Sequence, residues 1–326
     1  MVNEVSLATI ARALDAMLDG VMTAQARVLS HLVAAGEAAG KDPGDIIAML
    51  DGVAAETVLD ECWVSNADGD VYITTVRDEA GAPQAFRFDP DPAVQPQASA
   101  FYPLLSSSVE SDDVVAQEAR VREIDNEIFK YVGVSGVDQP RIVQVGNALA
   151  FEEQAAVGDT YVSPVMTAVT AAFDEPDLLE FRNTSAYEEI RSVFDGILGQ
   201  HMIVQAALAD RFLASAEAAG WSVDTINGRL QRIVRSTPMA EVHVASRSGE
   251  AVYSSDPSGR RLPEPPFAAD LERLAGETRS VDHPTPTVAD GPLVKHVTAL
   301  GADGLRVIWI GYPIDDASPV SPRFGS

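Results

Sequence analysis

Cysteine occurs once in this chain, as Cys62. One thiol cannot form an intramolecular disulfide or a cysteine-based zinc site, and a reducing compartment is compatible with it. Basic residues are scarce as well: 23 Lys and Arg stand against 49 Asp and Glu, a net charge of −26, and the only lysines are Lys41, Lys130 and Lys295. Binding to nucleic acid or to an anionic membrane needs basic side chains that neutralise phosphate, so the composition argues against both. No apolar run approaches the roughly 20 residues that span a bilayer, and Met1–Val5 has neither the basic nor the apolar part of a secretory leader. The chain therefore reads as cytoplasmic if it is full length. A Gly-rich phosphate loop after a strand, a Gly-x-Ser-x-Gly elbow and a His-x-His or His-x-x-Glu-His ligand pair are all missing.

What the chain has instead is a copy of itself. Setting residue n against n+180 aligns Gln25-Ala26 with Gln205-Ala206, Glu37-Ala38-Ala39-Gly40 with Glu217-Ala218-Ala219-Gly220, Glu61 with Glu241, Val64 with Val244 and Gly69 with Gly249. Towards the end of each copy an offset of 165 pairs Lys130 with Lys295, Gly136 with Gly301, Arg141 with Arg306 and Gly146 with Gly311. Each copy is of domain size, and a composition that is 46% hydrophobic can furnish two cores. The expected division is a first module over 1–150, a connector over 151–184, a second module over 185–312 and a disordered tail over 313–326.

Within residues 4–39, Leu7, Ile10, Leu14, Met17, Val21, Ala24 and Val28 follow alternating steps of three and four, the pattern of a long helix. Leu18, Met22, Leu29 and Leu32 form a second stripe beside the first, so the helix can bury two faces, one on its own module and one on a partner. The first seam predicts a homodimer through residues 4–39. Ser185 and Glu188 suggest a capping box opening the matching helix. Short helices are predicted near 43–58 and 223–236. Strand-turn-strand units follow, around Asn66-Ala67-Asp68-Gly69 and Ser246-Arg247-Ser248-Gly249. Gln84–Phe88 reads as a third strand, a short helix is expected after Asp113, and closing strands are expected near 128–134, 140–146, 293–300 and 305–311. Each module is thus α+β, a long N-terminal helix with an antiparallel sheet of about five strands.

The segment Glu61-Cys62-Trp63-Val64-Ser65-Asn66-Ala67-Asp68-Gly69-Asp70-Val71-Tyr72 resembles the first hairpin of the PAS-like sensor domains of the Cache type found in bacterial chemoreceptors and sensor kinases. Phe129–Val134 followed by Pro140–Gly146 resembles their closing strands. The resemblance implies two tandem PAS/Cache-like modules and a small-molecule pocket on one sheet face, roofed by loops and coupled to a helix. In two respects the chain departs from the common double-Cache receptor: each module carries its own long helix, and no kinase, cyclase or methyl-accepting region follows.

Alternation along strands puts Cys62 and Val64, with Val242 and Val244, under the helices, and Trp63 and His243 on the opposite face. The ligand-binding candidates in the first module are Trp63, Phe88, Tyr102, Lys130, Tyr131, Arg141 and Gln144. Their second-module equivalents are His243, Lys295, His296, Arg306 and Trp309. Aromatic faces supply contact area, and Phe86 and Phe101 add to it on intervening segments. Lys130 and Arg141 suit a carboxylate ligand or, equally, a structural ion pair. The favoured reading is a sensory protein that binds a small molecule in the first module and signals through helix-mediated association to an unidentified output partner. The alternatives are an interaction scaffold without ligand and a metal-dependent enzyme using His243 and His296. No catalytic residue, resident cofactor or metal ligand is assigned, and an enzyme is the less favoured class.

Overall fold

The computed structural model describes residues 7–109, 111–122, 127–148, 179–256, 267–274, 280–283 and 293–314. Helix α1 (Leu7–Ala38) and helix α2 (Pro43–Glu56) precede β1 (Glu61–Ser65) and β2 (Val71–Thr74). A 3-10 helix (Ala98–Ser106) then leads to β3 (Val114–Ala116), β4 (Arg120–Val121), β5 (Ile128–Ser135) and β6 (Ile142–Ala148). The second module repeats this with α3 (Leu179–Ala218), α4 (Val223–Arg235), β7 (Glu241–Ser246), β8 (Ala251–Ser254), α5 (Phe267–Leu274), β9 (Ser280–Asp282), β10 (Leu293–Leu300) and β11 (Arg306–Ile314). The sheets run β2-β1-β6-β5-β3, with β4 also on β5, and β8-β7-β11-β10-β9, antiparallel throughout. Even the irregularity is shared, a register shift at Val64/Ser65 in one sheet and at Val244/Ala245 in the other.

The matched sequence motifs explain the matched joints. Gly40 and Gly220 take φ of +76° and +72°, and each long helix closes with a six-to-one bond, Lys41 N–H to Gly36 and Trp221 N–H to Ala216, both at 3.0 Å. Asp42 and Ser222 then cap α2 and α4 by accepting from the backbone N–H groups of Asp45 and Thr225. Cys62, Val64, Val132, Val143 and Val145 are buried under α1, as alternation requires, and Val242, Val244, Val297, Ile308 and Ile310 are buried under α3.

Both apolar faces of α1 are used within one chain. Gln25 Nε2 donates to the His201 carbonyl oxygen at 3.3 Å, and Gln205 Nε2 donates to the Val21 carbonyl oxygen at 3.0 Å. Because 21 matches 201 and 25 matches 205 in the repeat, these are one interaction seen from either copy, the mark of an internal two-fold. Further along, His31 meets the Phe212 ring at a centroid distance of 5.9 Å, so the two helices run parallel. Leu14, Met17 and Val21, expected to pair two chains, are buried in the single chain, as are Leu29 and Leu32. That part of the seam is packed within the single chain; the side chains of Leu7 and Ile10 lie outside the described residues. A fragment of residues 1–150 would lose α3 and expose this stripe. We expect it to dimerise through α1 while the whole chain stays monomeric, measured by light scattering at tens of micromolar, roughly the range of coiled-coil association.

Other expectations fail for local reasons. Gln84–Phe88 is not a strand: it touches the sheet through the Asp70–Arg87 bridge and the Val71 N–H to Phe86 bond. The stretch after Asp113 forms β3 and β4 rather than a helix. Ser185 lies inside α3, which begins at Leu179, so it is not the N-cap. That helix also takes up the end of the expected connector, of which 151–178 lies outside the described residues. β11 takes up Pro313 and Ile314, the first two residues of the expected tail, and 315–326 lies outside as well.

Candidate functional site

On the face of the first sheet turned away from α1, a cavity of about 120 Å³ opens beneath the segment that links β2 to β3. Trp63 on β1, Tyr131 on β5 and Gln144 on β6 form its floor. Phe86, Phe88, Gln95, Gln97, Ala98 and Phe101 roof it, and Gln117 and Arg122 close the side. The register makes this floor: Trp63 pairs with Gln144, and Gly133 pairs with Gln144 from the other side, so alternate residues of three adjacent strands meet. The rings pack edge to face or tilted, Trp63 on Phe86 at 5.4 Å, Phe86 on Phe88 at 5.1 Å and Phe88 on Phe101 at 6.4 Å.

Glu61 anchors the polar end. Its Oε2 accepts from Trp63 Nε1 at 3.1 Å and from the Tyr131 hydroxyl at 2.9 Å, and its Oε1 is ion-paired with Arg122. Arg122 also donates to the Tyr131 hydroxyl at 3.2 Å and lies 3.7 Å over the Phe129 ring. Burial, then the Glu61 charge, push the Tyr131 phenol above its ordinary pKa, so it stays a hydrogen-bond donor. The Glu61 carboxylate and the Arg122 guanidinium are thus committed to each other. The roof is braced by its own glutamines: Gln97 donates to the Val121 carbonyl oxygen at 2.9 Å, Gln117 to that of Gln97 at 2.6 Å and Gln95 to that of Arg87 at 2.7 Å. Gln144 differs. It is 5% exposed, and its carboxamide has no hydrogen-bond partner among the described residues.

Trp63, Phe88, Tyr131 and Gln144 of the sequence candidates are brought together here. Tyr102 packs against the same aromatic cluster but does not line the cavity. Lys130 and Arg141 are elsewhere. Lys130 neighbours Tyr131 on a strand, so it points to the opposite face, where its ammonium holds Asp15 at 2.6 Å and Asp19 at 2.7 Å on α1. Burial, outweighing Lys130, raises the pKa of Asp19. Arg141 pairs with Glu37 and Asp138, each at 2.8 Å, and donates to the Tyr72 hydroxyl at 2.6 Å. Both cations fasten the sheet to its helix, away from the Trp63 cavity. The copies repeat the device: Lys295 binds Asp195 and Asp282, and Arg306 binds Glu217.

In the second module the matching register position carries an aromatic side chain. Trp309 stands where Gln144 stands, fully buried, with His296 at 4.6 Å and His283 at 5.9 Å from its ring. Glu241, the counterpart of Glu61, receives His296 Nε2 at 3.0 Å, His243 Nε2 at 3.2 Å and Trp309 Nε1 at 3.3 Å. Hydrogen bonds from the two imidazoles hold its pKa far below the ordinary carboxylate value, against the opposing effect of burial. His243 and His296, considered above as metal ligands, therefore turn Nε2 to a shared carboxylate. Among the described residues no group of three or more His, Cys, Asp or Glu is placed to hold a metal ion. Gly146 and Gly311, matched in the repeat, now have a reason: a Cβ there would strike the Tyr131 ring in one copy and Glu241 in the other. Cys62 is buried under α1, and burial raises its thiol pKa, which leaves it inert.

Sequence reasoning missed Glu61, Arg122 and the roof glutamines as parts of this site. The match of Glu61 to Glu241 was the available signal for the first.

No protein-family model matches the chain, and no curated protein matches it significantly. Among solved structures, it is similar to a methyl-accepting chemotaxis protein X at 14% identity and a TM-score of 0.29, with 94% of this chain and 96% of that one covered. It is also similar to the ligand-binding domain of the Pseudomonas fluorescens chemoreceptor CtaA in complex with L-alanine, at 13% identity, a TM-score of 0.26 and 94% coverage of both chains. A third is the ligand-binding domain of the Campylobacter jejuni chemoreceptor Tlp3 in complex with 4-methylisoleucine, at 7% identity and a TM-score of 0.25, covering 99% of this chain and 98% of that one. At these TM-scores the likeness is one of layout and carries no argument about function. No helix among the described residues is long and apolar enough to cross a membrane.

Proposed function

We propose that the first module is a small-molecule sensor whose ligand occupies the cavity between Trp63, Tyr131, Gln144 and Phe101. The observation that carries this reading is the Gln144 carboxamide, which lines an aromatic cup without a hydrogen-bond partner among the described residues. An amide removed from bulk water needs a hydrogen-bonding partner, and a ligand with one polar group can supply it. The cavity, about 120 Å³, is somewhat smaller than the roughly 150 Å³ cavity that holds a benzene ring, which limits the ligand to about the size of one six-membered ring. Because Lys130 and Arg141 are committed to α1 and Arg122 to Glu61, the site favours a small polar molecule without net charge over the carboxylate considered from the sequence.

Output follows from what lies under the floor. The strands that present Trp63 and Gln144 to the ligand present Cys62, Val64, Val143 and Val145 to α1 on their other face. A shift of the sheet on ligand binding is therefore passed to α1 and across the parallel pair to α3. We infer that the helix-mediated step is this pair within one chain, read by an output partner, rather than a seam between chains. For the second module the scaffold reading is favoured, because Trp309 stands fully buried at the position that matches Gln144.

Gln144→Leu keeps the volume and removes the amide. Calorimetry with a ligand found by screening small metabolites is expected to show binding weakened about tenfold, the worth of one net hydrogen bond, with stability unchanged. Unaltered affinity would remove Gln144 from the site.

A further inference from the structure

The side chains that line the Trp63 cavity leave an uneven set of hydrogen-bonding atoms. Trp63 Nε1 and the Tyr131 hydroxyl are spent on Glu61, and Arg122 is spent on Glu61 and Tyr131. Gln95 is spent at both ends: Nε2 donates to the Arg87 carbonyl oxygen at 2.7 Å, and Oε1 accepts from the Asp89 N–H at 2.8 Å. Gln97 and Gln117 use only their Nε2 groups, on the carbonyl oxygens of Val121 and Gln97, and each keeps an Oε1 that accepts from no described residue. Gln144 keeps both ends of its carboxamide. Among these side chains the lining therefore offers one donor group, Gln144 Nε2, and three acceptors, the Oε1 atoms of Gln97, Gln117 and Gln144.

A carboxamide presents a donor and an acceptor side by side in one plane. The edge that meets both at once has an adjacent N–H and C=O pointing the same way, the two-point pairing by which a glutamine reads the edge of a base. In an open-chain secondary amide the trans bond turns N–H and C=O to opposite sides, whereas a six-membered lactam ring holds them on one side. The two further acceptors call for a second N–H. The rings of Trp63, Phe86 and Tyr131 give a flat ligand apolar walls, and the volume holds it to about one ring. Nothing in the fold requires a carboxamide at this place: in the second copy Trp309 pairs with His243 as Gln144 pairs with Trp63.

Resting on the sensor reading of this cavity, we propose that its ligand is a cyclic ureide of one six-membered ring, the chemistry of a pyrimidine-2,4-dione. One N–H and the neighbouring carbonyl pair with Oε1 and Nε2 of Gln144, and the second N–H goes to Oε1 of Gln97 or Gln117. Such a ring is uncharged at neutral pH, which suits a wall whose guanidinium is already paired with Glu61.

Calorimetry of the full chain with uracil, 2-pyridone, 4-pyrone and nicotinamide tests this. Uracil is expected to bind with a Kd of about 10 µM to 1 mM, the range open to so few atoms. 2-Pyridone keeps the lactam edge and lacks the second N–H, so it should bind about tenfold more weakly; 4-pyrone, a similar ring with acceptors only, should bind at least about a hundredfold more weakly. Nicotinamide carries its amide outside the ring and should also bind at least about tenfold more weakly than uracil. Gln144→Met, unbranched and close in length, should weaken uracil at least about tenfold, and the comparison of the four compounds on the unmutated chain stands whatever that variant does to stability. The proposal is overturned if uracil does not bind, if 4-pyrone or nicotinamide binds as tightly, or if the Gln144→Met protein binds uracil normally. An uncharged metabolite of another class that binds the unmutated chain and is lost in Gln144→Met would overturn the ureide and leave the sensor reading standing. A chain that binds neither uracil nor any other small polar metabolite overturns both.

Discussion

Phe101→Ala is expected to lower the unfolding free energy by about 3–5 kcal/mol, the usual cost of deleting a buried aromatic ring. The ring is 1% exposed and meets Phe88 edge to face at 6.4 Å. It also lies directly on Gly133, where a Cβ would come within 2.6 Å of it. Strand β5 is bare at that position, so nothing can relax into the space and the cavity left behind stays open. The same substitution enlarges the proposed ligand site, so a variant that survives should show altered ligand selectivity. Chemical denaturation of the variant beside the unmutated chain checks the first claim. A loss below about 1 kcal/mol would mean that the roof is not packed on the sheet as described.

Arg141→Ala is expected to cost about 3 kcal/mol, the lower end for breaking a buried ion pair, because the Glu37 and Asp138 carboxylates it abandons keep some contact with water. The side chain is 1% exposed and makes hydrogen bonds to Glu37, Asp138 and Tyr72. Burial alone would raise the Glu37 pKa, but hydrogen bonds from Arg141 and Tyr72 overcome it and hold the carboxyl below its ordinary value of 4.5. A depressed carboxylate contributes its full stabilisation above the unfolded value and loses it as pH falls through the folded one. The stability difference between the two proteins should therefore be largest near neutrality and shrink as pH drops below 4.5. Denaturant midpoints over that range measure it, and a difference that grew on acidification would contradict the assigned pair.

The helices and hairpins were legible because their signals are local. The two stripes of α1, the Asn66–Gly69 turn and the paired glycines at 40 and 220 each state their own geometry. The alternation of Cys62, Trp63 and Val64 likewise gave the correct faces. The same rule, applied to Lys130 and Tyr131, excludes both from one pocket, and the grouping by residue chemistry overrode it. Phe86 and Phe88 imitated a strand because alternate residues of an irregular roof can also point inward. Glu61 was hidden among 49 acidic residues, although a carboxylate repeated at the start of an apolar strand is a buried one in waiting. The internal two-fold was the deeper omission: an exposed seam predicts a partner helix, but sequence periodicity is silent on whether that helix belongs to another chain or to the second copy.

The central claim is that the first module holds a small molecule where the second holds a side chain. Gln144→Trp tests it most directly, since it gives the first module the residue that Trp309 supplies in the second, at a position where the repeat accepts an indole. Native mass spectrometry of the unmutated chain, incubated with a panel of small polar metabolites, should show a one-to-one adduct. The Gln144→Trp protein should show none while melting at the same temperature or higher. Binding that persists in that variant, or an unmutated chain that binds nothing from the panel, would contradict the account.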